Sequence, residues 1–178
     1  MQQTILALLA LLIASFFTLS QAQSSLQSQK QALRGEIEQM ALGIGMQSME
    51  MVRARAFDSA VLGTGEDVIL DPSNFSDIPN DLNYNCRLHA SQNDGDVQDC
   101  QTIEEFNKTT GTVPFSITGG EIDFEVEIEV QYVCEDLEPC TGPTSRKKVD
   151  VYVQDASPDG QSSRLSEPIR YSEIFTYP

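Results

Sequence analysis

The sequence predicts an α+β chain, with one long N-terminal α-helix packed by its second half on an antiparallel β-meander. Three observations carry this. Residues 1–22, MQQTILALLALLIASFFTLSQA, hold no charged side chain. Beyond them, Leu26, Leu33, Ile37, Met40, Ile44 and Met51 fall on alternating three- and four-residue steps, with Lys30 and Gln47 in the two polar slots. Within Glu121 to Glu135, the apolar side chains from Ile122 to Tyr132 alternate strictly with polar ones. The division that follows is a helix over residues 1–60 and a globular β domain over residues 61–178.

The first stretch comes first in the argument as well. Only Ser15 and Thr18 interrupt the apolar run from Ile5 to Leu19. As a helix, roughly 20 residues at about 1.5 Å each span about 30 Å, the thickness of a bilayer's hydrocarbon core. Ser20-Gln21-Ala22 is an acceptable small-x-small cleavage site for a signal peptide, but such a peptide needs a basic segment before its apolar core. Here the first basic residue is Lys30. The segment also runs without a break into Leu26, Leu33, Ile37, Met40, Ile44 and Met51, a seam of coiled-coil-like spacing. No proline occurs before Pro72, so a single helix to about Ala60 is expected, with Gly63 and Gly65 as its terminators. The apolar front must then sit in lipid or among other copies of the chain. The side chains that would do so are Ile5, Leu8, Leu9, Leu12, Ile13, Phe16, Phe17 and Leu19.

An uncharged apolar start, a long amphipathic helix and a small β domain with paired cysteines together resemble a type IV pilin or pilin-like protein. More narrowly, Met51–Gly63 (MVRARAFDSAVLG), the later DPSNFSD and the ending Phe175-Thr176-Tyr177 are similar to pilin-like proteins of Bacteroidota-type bacteria. The resemblance implies a homopolymeric filament on the cell surface, with a subunit that waits in the inner membrane for an assembly machinery. Two departures stand out. Such pilins carry a glutamate at the fifth position of the mature chain, where this chain has Ile5. No basic, glycine-ended leader precedes Met1, so the chain is expected either to be the processed form or not to be processed by a pilin peptidase.

Four cysteines fall into two close pairs, Cys86 with Cys100 and Cys134 with Cys140. An even count behind an export-type N-terminus favours disulfides; three connectivities exist, and the two local ones are preferred because each closes a short polar loop. Neither pair has CxxC spacing, and His89 is the only histidine, too few partners for zinc. The balance of 27 acidic against 11 basic residues argues against nucleic acid and anionic membrane surfaces as partners.

Residues 63–83 read as a loop, rich in Gly, Pro, Asp, Asn and Ser. Tyr84 to Leu88 alternates as a short strand. Asp94, Asp96 and Asp99 are the candidate calcium ligands, but their spacing departs from an EF-hand loop and a solvated turn is the expected reading. Residues 101–120 read as a polar stretch. Asn74 and Asn107 stand in glycosylation sequons, which arise readily by chance.

In the long strand, Ile122, Phe124, Val126, Ile128, Val130 and Tyr132 share the core face, and Asp123, Glu125, Glu127 and Glu129 the solvent face. Arg146 to Asp155 is its expected partner, with Arg146, Lys147 and Lys148 set against the acidic face. After the polar turn ASPDGQSS, a last strand from about Arg164 to Tyr177 closes the meander. The second half of the helix is the expected cover for its apolar face.

The chain holds no phosphate loop, no Gly-x-Ser-x-Gly and no His-Glu-x-x-His, so the expectation is a non-enzymatic protein without cofactors. Three functions fit. The first is the structural subunit of an extracellular helical filament, held by burial of apolar helix surface. The second is a minor pilin-like component of a type II secretion or DNA-uptake apparatus. The third is a secreted or anchored β domain that binds a ligand.

Overall fold

The computed structural model describes residues 2–62, 71–80, 85–89, 98–117, 120–156 and 163–178, with the backbone alone at 2–4 and 6–8. The helix α1 spans Gln2–Arg53, 52 residues and about 78 Å at roughly 1.5 Å per residue. Contacts divide the chain into two compact units, Met1–Ile37 and Glu38–Pro178, so the β domain takes in the last part of α1.

The helix stops short of Ala60 because tertiary partners claim its backbone. The Ala56 amide donates to the Gln101 carbonyl at 3.1 Å, and the Ile103 amide donates to the Ala56 carbonyl at 3.0 Å. Asp58 then takes an extended conformation and caps a 3₁₀ turn, Ser59–Val61, through the Ala60 amide. The expected terminators Gly63 and Gly65 lie outside the described residues.

Among the described residues one antiparallel sheet forms, in the order β1 (Thr109–Ile117), β2 (Gly120–Tyr132), β3 (Arg146–Asp155), β4 (Ile169–Thr176). β3 keeps the bounds read from its alternation, and β4 begins five residues later than expected, at Ile169 rather than Arg164. β1 lies in the stretch read as merely polar. Its Gly111 and Pro114 are poor strand formers, but Pro114 sits on an edge strand, where a missing amide is tolerated. Of the expected strand Tyr84 to Leu88, the structure describes one parallel bridge, Cys86 with Gln98, and Tyr84 lies outside the described residues.

The domain core combines Ala41, Ile44, Met49 and Val52 of α1 with Phe124, Val126, Ile128, Val149, Val151 and Val153 of the sheet, all buried. Gly45 sits where a Cβ would lie 3.5 Å from Val153 and 3.7 Å from Tyr171, so α1 packs on the sheet through a small residue. The buried helix positions are therefore Ala41, Ile44, Gly45, Ser48, Met49 and Val52, while Ile37, Met40 and Met51 are half-buried and Leu26 and Leu33 exposed. The chain end is pinned: the Tyr177 amide donates to Ser145 at 2.8 Å, and its ring meets Phe57 and Phe75 at 5.6 and 5.2 Å.

Candidate functional site

The apolar start of α1 is the first candidate. Ile5, Leu9, Leu12, Ile13, Phe16, Phe17 and Leu19 are all between 55 and 76% exposed, and the side chain of Leu8 lies outside the described ones. Ser15 and Thr18, the two polar interruptions, return their hydroxyls to the carbonyls of Leu11 and Ser15 at 2.8 and 2.9 Å. Their hydroxyl protons are thus satisfied within the helix, which suits an apolar surrounding. By length and composition α1 can cross a membrane; its most apolar window has a mean hydropathy of 1.3 and none of it is buried.

Both local disulfides form, Cys86–Cys100 and Cys134–Cys140, each with Cα atoms 5.4 Å apart. They close loops on the domain, the second between β2 and β3.

A third feature was not foreseen. Lys147 does not face the acidic side of β2, as expected; it is fully buried. It shares the parity of Val149, Val151 and Val153, so the strand turns it inward with them. Its three ammonium protons find three acceptors: the Phe57 carbonyl at 2.6 Å, Asp58 Oδ2 at 2.7 Å and Glu104 Oε2 at 2.8 Å. Asp58 and Glu104 are equally shielded, at 0 and 3% exposure. Asp58 Oδ1 accepts the Ala60 and Ser76 amides, both at 3.0 Å. Tyr132 Oη lies 2.9 Å from Asp58 Oδ2 and 2.7 Å from the Ser76 carbonyl, and Glu104 Oε1 accepts the Ser59 amide at 2.7 Å. The Phe57 and Tyr132 rings flank the ammonium with centroids 4.6 and 5.1 Å away. Burial pushes the Asp58 carboxyl up, but hydrogen bonds from Lys147 and the Ser76 and Ala60 amides outweigh it and hold the group below the usual carboxylate range. Burial first, then Asp58, raises the Tyr132 phenol well above the ordinary tyrosine range. The node joins the segment after α1 to the sheet and to the 3₁₀ turn Glu104–Phe106.

The other basic residues of β3 have the opposite parity, and Lys148 lies on the face of β2 that carries the acidic side chains, as expected. Lys148 stands opposite Gln131 and pairs with Asp150 of its own strand at 3.1 Å, and Arg146 stands opposite Thr176 in β4.

Of the candidate calcium ligands, Asp99 pairs with Arg87 at 3.0 Å, and Asp94 and Asp96 lie outside the described residues. Among the described residues no group of three potential ligands gathers. Asn74 is exposed on a 3₁₀ turn. Asn107 is buried, its Nδ2 donating to the Pro79 carbonyl at 2.8 Å and its Oδ1 accepting the Val130 amide at 2.9 Å, so in the folded chain it brackets β2 to the segment at Pro79. No protein-family model matches this chain, and neither a curated protein nor a solved structure matches it.

Proposed function

We propose that the chain is a structural subunit of an extracellular helical filament of the type IV pilus kind, a non-enzymatic homopolymer. The observation that carries this is the continuity of α1. One helix is uncharged over its first third, where its described large apolar side chains are exposed, and its residues 41–52 contribute to the core of the disulfide-stapled domain. An exposed apolar surface of this extent marks a contact with lipid or protein. Before assembly the segment spans the inner membrane; in the filament it packs among its own copies, with burial contributing about 25 cal/mol per Å² of apolar area.

The test is the intact mass of the protein sheared from cells, with and without reductant, alongside electron microscopy of the sheared material. A chain retaining residues 1–22, found in filaments with its cysteines oxidised, is the expected result. A chain beginning at Gln23 makes the apolar stretch a discarded signal and leaves a secreted β domain. A retained segment in a scarce, unpolymerised protein would point instead to a minor component of a secretion or uptake apparatus.

A further inference from the structure

We infer that Lys147 and Asp58 become joined by an intramolecular isopeptide bond, formed in the folded chain with Glu104 as the proton carrier. This inference does not rest on the filament reading, since every group it uses lies in the β domain.

The reactants are already in contact, with Nζ 2.7 Å from Asp58 Oδ2 and 2.8 Å from Glu104 Oε2. All three side chains are shut off from water, which favours condensation over hydrolysis. Asp58 Oδ1, which becomes the amide oxygen, already accepts two backbone amides, Ala60 and Ser76. These are the donors that stabilise charge on that oxygen while the tetrahedral intermediate exists. Oδ2, the leaving oxygen, lies against the Tyr132 hydroxyl.

The step balances without an oxidant or any further reactant. One proton passes from the Lys147 ammonium to Asp58 Oδ2, giving a neutral amine and a neutral acid. The Nζ lone pair attacks Asp58 Cγ. Glu104 takes a second proton from the attacking nitrogen and delivers it to Oδ2, which departs with the C–O bonding pair as water. An ammonium and a carboxylate become one amide and one water molecule, and Glu104 ends as it began. The reaction removes one buried ion of each sign, and the Glu104 carboxylate that remains keeps the Ser59 amide as its donor. The bond would span 89 residues of sequence and tie the segment after α1 covalently to β3.

The test uses the full chain, purified in detergent, reduced and denatured. The expected intact mass is one water below that of the linear chain, and proteolysis followed by tandem mass spectrometry should yield a branched peptide joining Lys147 to Asp58. Glu104→Gln and Lys147→Arg should each restore the full mass. Should Glu104→Gln fail to fold, the branched peptide from the unaltered chain still decides the matter. Full mass in the folded unaltered chain, or recovery of Asp58 and Lys147 only in separate linear peptides, overturns the proposal. A joined Glu104→Gln chain overturns the role given to Glu104.

Discussion

Gly45 offers a test of how α1 lies on the sheet. A Cβ there would stand 3.5 Å from Val153 Cγ2 and 3.7 Å from Tyr171 Cβ, ordinary contact distances, whereas one at Gly43 would meet nothing within 4 Å. Replacing either by Ala removes the helix penalty of glycine, about 1 kcal/mol. Both alanine variants should therefore gain roughly that much, a rise in Tm of about 2–4 °C for a domain of this size. Leucine separates the two positions. At Gly43 it keeps most of the propensity gain. At Gly45 its three further carbons have no room, and overpacking costs about 1–3 kcal/mol against a gain of about 0.8. Gly43→Leu should stabilise and Gly45→Leu should not. The assay is urea unfolding of the full chain in detergent, followed by circular dichroism and by tyrosine fluorescence, since the chain has no tryptophan. A Gly45→Leu chain as stable as Gly43→Leu would show that residue 45 does not face Val153.

The remaining predictions concern charge and the cysteines. Burial alone would raise the Asp150 carboxyl, but hydrogen bonds from Arg170, Ser172 and Lys148 hold it below its ordinary value. Its folded pKa thus lies under the unfolded one of about 3.9, so its contribution is complete above that pH and is lost as pH falls through the folded value. Asp150→Asn should lower neutral-pH stability by about 1–3 kcal/mol and flatten the acid limb of the unfolding curve. For the disulfides, the chain-entropy model gives roughly 3 kcal/mol for Cys86–Cys100, whose separation is 14 residues, and roughly 2 kcal/mol for Cys134–Cys140, separated by 6. Paired Cys→Ser variants under denaturant should rank in that order, and the reverse ranking would show that native contacts rather than loop closure set their value.

How much of this was legible depends on the kind of signal each residue carries. The alternation of Ile122, Phe124, Val126, Ile128 and Val130 is a local pattern, and the structure buries each of them. Lys147 obeys the same parity rule, but its charge suggested solvent; three acceptors in fixed places were needed to make burial tolerable. Those acceptors could not be read in advance, since Glu104 lies 43 residues away and Asp58 89 residues away. Along α1, large apolar residues drew attention to Met40 and Met51, whereas close packing uses Ala41, Gly45 and Ser48. Small side chains contribute little to a hydrophobic pattern, though they let a helix approach a sheet. β1 escaped notice because its strand character comes from pairing with β2, and Thr109 and Val113 are its only buried side chains.

The distribution of charge gives the filament reading its physical logic. In residues 1–49 the charged side chains are Lys30, Arg34, Glu36 and Glu38, which cancel, so the whole net charge of −16 falls after residue 49. The acidic side chains at 121, 123, 125, 127 and 129 of β2 are all exposed. Domains of like charge repel within about 8 Å at physiological ionic strength, and this keeps them from sticking to one another indiscriminately. Attraction is left to the one part of the chain without charge. Residues 1–22 hold no charged side chain, so in that reading none of them offers a carboxylate to select a register by ion pairing. Register would rest on how the Leu, Ile and Phe side chains of one α1 fit the grooves of the next, a matter of shape that dispersion and burial reward only at close contact.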